Sequence, residues 1–250
     1  MAGGTEAVKR AAELSARVLP VDRLHDSLRE RMYLLFADYY GGCSQTLFAQ
    51  DLQHKDYCLL LENEQGRLCG FTTLAVSGHQ IDGRKLRCLF SGDTIIHHDY
   101  WGGQTLPRAW CELAGRIKAE QADLPLYWFL IVKGHRTYRY LKLFSKDYYP
   151  ARNRPVPEEV RRIMDFLARD RFGQCYDAST GVIRFPKERG HLKPEWVALD
   201  SSSRNKPEVA FFLERNPGHG RGDELVCLTE LNENNLKRQA LQAFQRGMKT

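Results

Sequence analysis

The chain has 250 residues, 42% of them hydrophobic and 27% charged, the balance of an ordinary globular protein able to bury one substantial core. Its longest apolar run, Leu124–Val132, is too short to cross a bilayer, and Met1–Val18 is charged throughout without the apolar block of a secretory signal, so a cytoplasmic protein is expected. The net charge of +6 suits an anionic ligand or an acidic carrier protein, but no basic tract with interleaved aromatics marks a nucleic-acid stripe. The 7 cysteines are scattered, odd in number and never spaced C-x-x-C, which excludes a zinc site and a disulfide framework and leaves reduced thiols.

Ala2–Arg17, rich in Ala and Glu, reads as a helix or frayed tail. Asp22 is placed to cap a helix from Arg23 to about Tyr40, with Leu24, Leu28, Met32, Leu35, Phe36 and Tyr39 at helical spacing and Gly41-Gly42 stopping it. Ser44 caps a shorter helix through Leu52. Then the period changes. Tyr57–Leu61, Leu68–Val76 and Leu86–Ile96 read as three strands, and Asp82-Gly83 between the last two is a tight-hairpin signal. A helix over Thr105–Glu120 follows, with Thr105 as cap, Pro107 in its first turn, and Trp110, Leu113, Ala114 and Ile117 on one face. Leu126–Val132, apolar throughout, reads as a strand covered on both faces, and His135–Phe144 as a helix.

Beyond Pro150 a joint rich in Arg and Pro leads to a helix opened by Pro157-Glu158-Glu159 and ended by Gly173. Tyr176–Lys206 is polar and irregular apart from short strand candidates at Val182–Phe185 and Trp196–Leu199. Val209–Leu213 and Glu224–Leu228 read as a closing pair of strands, and Asn235–Met248 as a surface helix.

The chemistry centres on residues 94–110. Strand end, Gly102-Gly103 and helix start bring unpaired N–H groups together at the positive end of a helix dipole, a recipe for holding phosphate. Ile96-His97-His98-Asp99-Tyr100-Trp101-Gly102-Gly103 resembles the acyl-CoA-binding segment of the GNAT acyltransferase superfamily. Ile96, His97, Asp99, Tyr100 and Gly102 fit that pattern; His98, Trp101, Gln104 and Leu106 depart from it, the last two by putting side chains where the family has small residues. The element order (helices, three-strand meander, helix, strand, helix) is that of the family. The resemblance implies an α+β fold with a central mixed sheet flanked by helices and a GNAT-like core over 19–150, closed by a hairpin at 207–231. A tail or helix at 1–18, an insertion at 151–206 and a C-terminal helix at 232–250 complete the expected layout.

By the same resemblance the donor is an acyl-CoA, acetyl or longer, used as co-substrate. Ile95, Ile96, His97, Trp101, Gly102, Gly103, Gln104, Thr105, Leu106, Thr137 and Phe144 stand at the positions that would contact it. Main-chain N–H near Ile95 or Ile96 would polarise the thioester carbonyl. Asp93, His97 and His98 are the nearest bases for the acceptor amine. Simple alternation puts Asp93, Ile95 and His97 on one face and Phe90, Gly92, Thr94 and Ile96 on the other, which makes Asp93 the leading candidate. His219, in a glycine-rich loop, is a further His that would reach the mouth. The family's tyrosine acid is replaced by Phe144, and the Asn seven residues before it by Thr137, so Tyr138, Tyr140 or Tyr148 must protonate the thiolate; Tyr140, one helical turn before Phe144, is chosen. The expected activity is N-acyl transfer to an amine. Its alternatives are a synthase drawing long chains from acyl-carrier protein, in the manner of acyl-homoserine-lactone and acyl-amino-acid synthases, and a GNAT-shaped binding protein without catalysis.

Overall fold

The computed structural model describes residues 14–187, 189–198 and 204–250. Strand β1 (Ser15–Pro20) lies antiparallel to β3 (Tyr57–Glu62), so the expected N-terminal helix is replaced by an edge strand over its last residues, while 1–13 fall outside the described residues. Propensity favoured a helix there; six backbone pairings with β3 override it. Helix α1 (Asp26–Tyr39) is capped by His25, whose ring accepts the Leu28 N–H, and not by Asp22, which sits one turn earlier in a 3-10 turn. Strand β2 (Tyr40–Gly41) is two residues long, and α2 (Gln45–Leu52) takes its cap from Ser44.

The meander β3, β4 (Leu68–Ile81) and β5 (Arg84–Ile96) is antiparallel, turning at Asp82 and Gly83, both with positive φ as a tight hairpin requires. Helix α3 (Thr105–Glu120) then crosses to β6 (Leu126–Val132), which runs parallel to β5. The N-cap of α3 is Gln104 and no side chain caps it, so Thr105 is its first helical residue. Helix α4 (His135–Phe144) follows as expected, and α5 (Glu158–Phe172) after it.

The late chain differs from expectation. Strands β7 (Tyr176–Asp177), β8 (Val182–Ile183) and β9 (His191–Leu192) are all dipeptides, and α6 (Pro194–Val197) is one turn where a strand was expected at Trp196. The segment read as the strand Val209–Leu213 is helix α7 (Pro207–Arg215), with Val209 and Phe212 buried three residues apart and Pro207 in the first turn. No hairpin forms at 207–231: β10 (Glu224–Glu230) runs antiparallel to β6 and takes β8 as its outer neighbour. Helix α8 (Arg238–Met248) lies on the surface as expected, with Arg238, Gln239, Gln242 and Arg246 exposed, and packs its other face on α3, burying Ala240, Ala243, Phe244 and Gly247.

The result is an eight-stranded mixed sheet, β1-β3-β4-β5-β6-β10-β8-β7, with helices on both faces. One face is covered by α3, α4 and α8 around Trp110, Trp128, Leu141 and Phe244. The other is covered by α1 and α2 around Met32, Phe36 and Phe48, and by α5, which lays Ile163, Met164 and Leu167 on Phe90, Phe129 and Val226. No helix among the described residues is long and apolar enough to cross a membrane, and the cysteines are free.

Candidate functional site

Strands β5 and β6 pair from Arg87↔Leu126 to Ser91↔Leu130 and then part. The cause lies in β5. Between Ser91↔Leu74 and Thr94↔Thr72 it holds two residues, Gly92 and Asp93, against the single Thr73 of β4. This bulge bends the strand away from β6 and shifts its phase by one. Phe90 and Ile95 therefore face the same side of the sheet, the side of α1, α2 and α5, which simple alternation had placed apart. Gly92 fits because Lys55 passes behind it: a Cβ there would lie 2.5 Å from the Lys55 Cε and 2.5 Å from the Thr73 hydroxyl.

Below the fork the gap is filled. Trp110 and Trp128 rings stand 4.4 Å apart, Phe144 lies 5.6 Å from Trp110 and 5.5 Å from Trp128, and the Trp128 indole donates to the Ser91 hydroxyl at 2.9 Å. Phe144, expected to contact the donor, is thus part of this aromatic wall. Above the wall a small space of about 30 Å³ remains between the strands.

On the α4 side the fork opens into a cavity of about 680 Å³ bounded by Tyr39, Ile95, Ile96, Trp101, Tyr140 and Trp196. Arg136, Arg139, Lys142, Lys206 and Lys237 also border it, against the single acid Glu208. On the other side lies a cavity of about 120 Å³, bounded by Asp93, Lys133, Glu224, Asp51, Arg171 and Arg189 among aromatic rings. Thr94 and Thr137 border both cavities and the space between them, so the two chambers meet at these hydroxyls. Thr94 is held by the Thr72 hydroxyl at 2.7 Å.

The glycine turn stands at the mouth of the larger cavity. His98 N–H donates to the Tyr39 hydroxyl at 2.7 Å, which ties the turn to α1. Gly102 adopts φ 86°, and the Gly103 N–H is taken by the Tyr100 carbonyl. Among the described residues the N–H groups of Gln104, Thr105 and Leu106 meet no backbone carbonyl, and Pro107 has none to offer. The Leu106 side chain does not cover them, since it is buried against the aromatic wall. The Gln104 amide folds back onto the Gly102 carbonyl at 3.2 Å and borders a separate groove with Arg108 and Arg246.

His97 does not border the cavity; its ring stacks on His98 at 4.3 Å and its Nδ1 lies 3.4 Å from the Asp99 carboxylate. The His97 N–H bonds the Cys69 carbonyl of β4, so by alternation the Ile95 amide also turns to β4, while the Thr94 and Ile96 amides turn to the open edge. That edge is visited by Trp101, whose indole N–H donates to the Ile96 carbonyl at 2.8 Å. The Arg136 guanidinium lies over the indole at 4.1 Å, and Trp196 meets it edge-on at 5.4 Å. Trp196 arrives on the segment 191–197, anchored where β9 pairs with β2, and it roofs the cavity.

The electrostatics divide the chambers. Burial, then the neighbouring Asp51, push the Asp93 carboxyl up to about 6, against the pull of Lys55 and Lys133. No hydrogen bond or ion pair reaches Asp93 among the described residues. Burial also raises Glu224, which pairs with Lys133 at 3.2 Å. Burial alone would lower Lys133, but Glu224, Tyr40 and Asp93 outweigh it and hold the ammonium above its ordinary range. Burial raises Tyr140, so its phenol keeps its proton; its ring lies 5.6 Å from Phe144 and borders the larger cavity and the gap. Tyr138 is structural, its hydroxyl donating to the Pro150 carbonyl at 2.8 Å. Tyr148 is also in the core, 6.1 Å from Tyr138. His219 borders the larger cavity, with its pKa lowered by burial.

Sequence reasoning missed Thr94, Lys133, Glu224, Arg171 and the whole 191–197 roof. Lys133, directly after the apolar strand, was the one with a local signal; Arg171 and Glu224 come from segments remote in the chain.

No family model matches the chain, and no curated protein does. Solved structures resemble parts of it. A conserved protein of unknown function from Enterococcus faecalis aligns at TM-score 0.38 and 13% identity over 54% of this chain, which spans only 33% of that one. A GNAT family N-acetyltransferase from Escherichia coli, in complex with CoA, aligns at 0.36 and 14% over 53% of this chain and 69% of that one. Glucosamine-6-phosphate N-acetyltransferase from Arabidopsis thaliana aligns at 0.38 and 12% over 58% of this chain and 95% of that one. At these scores the likenesses assign neither activity nor ligand by themselves.

Proposed function

We propose that the protein is a GNAT-type N-acyltransferase that moves an acyl group from an acyl-CoA to an amine. One observation carries the reading: a parallel strand pair forks at a bulge, and the fork joins a cation-lined chamber to one holding a carboxylate without a partner. The chambers suit the two halves of acyl transfer. The N–H groups of Gln104, Thr105 and Leu106 and the cations from Arg136 to Lys237 would receive the donor's phosphates. The Thr94 and Ile96 amides at the open edge would polarise the thioester carbonyl, in place of the Ile95 amide, which is turned away. Asp93, raised toward neutrality, would take the proton from the amine, and the Tyr140 phenol would supply one to the thiolate. Trp101 bonds the edge where the donor's amide chain would pair, so donor binding requires the indole to swing aside or to stack on the donor.

The test is calorimetric titration with acetyl-CoA, a long-chain acyl-CoA and acyl-carrier protein, followed by thiol release in the presence of amines. Binding and consumption of a CoA thioester is expected. Consumption of the carrier-protein thioester alone would favour the synthase. Absence of binding to all three would leave a GNAT-shaped protein with another role.

A further inference from the structure

The smaller chamber has a charge pattern of its own, and it bears on the acceptor. Three carboxylates border it, Asp51, Asp93 and Glu224, and three cations, Lys133, Arg171 and Arg189. They are not interchangeable in position. Glu224 is buried and paired with the partly buried Lys133, and Asp51 is paired with Lys55. That leaves Asp93 at the fork and the two arginines, which are exposed at the rim.

Arg171, near the end of α5, sits over the Phe90 ring with its Cζ 3.8 Å from the centroid, and Arg189 rests over Phe185 at 4.9 Å. A guanidinium held over an aromatic face can still direct N–H donors to a planar or tetrahedral anion. Among the described residues neither guanidinium has a carboxylate within ion-pair distance. Phe90 and Asp93 share β5 and, because of the bulge, border the same chamber, with their backbones under about 10 Å apart along the strand.

Resting on the acyl-transfer reading above, we infer that the acceptor is a compact amine that also carries an anionic group, a carboxylate or a phosphate, with its nitrogen at Asp93 and its anion at the Arg171–Arg189 rim. A chamber of about 120 Å³ suits a group of amino-acid size. A plain cationic amine would leave both arginines facing a second positive charge; an amine with an anion balances each end. In the transfer the ammonium gives one proton to the Asp93 carboxylate, and the freed nitrogen pair bonds the thioester carbonyl carbon. The C–S bond then breaks and its electron pair leaves on sulfur; the thiolate takes the Tyr140 proton, and the nitrogen sheds its second proton, which restores that of Tyr140, so the product is a neutral amide that keeps the acceptor's anion.

The test compares L-serine with L-serinamide, O-phosphoethanolamine with ethanolamine, and 1,4-diaminobutane as the opposite charge type. Binding is read by calorimetry in the presence of coenzyme A, and acylation by mass spectrometry with acetyl-CoA. At least one anionic amine should bind and react about tenfold or more better than its uncharged counterpart. Whether serine or phosphoethanolamine leads tells carboxylate from phosphate. R171Q should abolish that preference while leaving coenzyme A affinity unchanged, and R171K should retain part of it; R189Q reads the same ratio should R171Q fold poorly. Equal use of the uncharged amines or of diaminobutane, or a preference that survives R171Q and R189Q, would overturn the inference. If coenzyme A fails to bind, the acyl-transfer reading falls, and the serine/serinamide binding ratio still decides the anion subsite. If coenzyme A binds and no amine is acylated, an equal binding ratio overturns the inference alone.

Discussion

Asp93 is a half-buried carboxylate with no hydrogen-bond or ion-pair partner among the described residues, and both features have measurable consequences. As the proposed base it would work only when ionised, so turnover should rise with pH along a limb centred near its raised value of about 6. D93N should lower turnover about 100-fold or more while acyl-CoA affinity holds. The same residue sets a stability trend. Its folded pKa lies above the unfolded value, so the folded state holds the proton more tightly, and stability falls as pH rises from the ordinary carboxyl value of 3.8 through about 6. D93N should therefore melt higher than the parent at neutral pH, with the gap closing in acid; a lower melting temperature for D93N at pH 7 would contradict the desolvation that defines the site. Asp93 and Tyr140, candidates on the sequence through their nearness to the glycine turn and to Phe144, both border the cavities at the fork. Thr94 was not a candidate, because nothing in a β-branched strand end tells which hydroxyl will stand at a fork.

At the scale of elements, most of the first 150 residues were legible because hydrophobic period and turn chemistry agreed. Ser44, Asp82-Gly83 and the apolar run 126–132 did what their local chemistry dictates. The bulge was not legible: an extra residue in one strand shows only when its partner strand is known. Val209–Leu213 was misread because a short apolar run reads equally as strand or helix, and Phe212 three residues after Val209 is the helical clue that length alone obscured. The α3–α8 contact was equally hidden. Gly115 and Gly247 let the two backbones touch: a Cβ on Gly247 would lie 1.8 Å from the Glu112 carbonyl oxygen, and one on Gly115 2.0 Å from that of Phe244. Backbone cannot step aside as a side chain can, so G247A should cost about 3 kcal/mol or more in denaturant unfolding. A neutral result would mean that α8 can shift along α3.

For the whole molecule, the net charge of +6 is partly gathered at one chamber, where five cations face one acid. Donor affinity should fall about tenfold as salt rises from about 0.1 M to about 1 M, which cuts the Debye length from about 10 Å to about 3 Å. Affinity that ignores salt would argue that the cations serve the fold. The described parts of 151–206, expected as an insertion, serve two places. Helix α5 supplies core to one sheet face, while 191–197 leans on Tyr39, Tyr40, His98 and Trp101 near the glycine turn. That second piece is held by a two-residue ladder, by the Lys193 amide on the Tyr39 carbonyl, the Trp196 indole on the Asp38 carbonyl and the ring contacts of Trp196, far fewer ties than those of the eight-stranded frame. On gentle warming it should unhook first, so capture of a thioester should vanish some degrees before the circular-dichroism melt: the doorway fails while the house still stands.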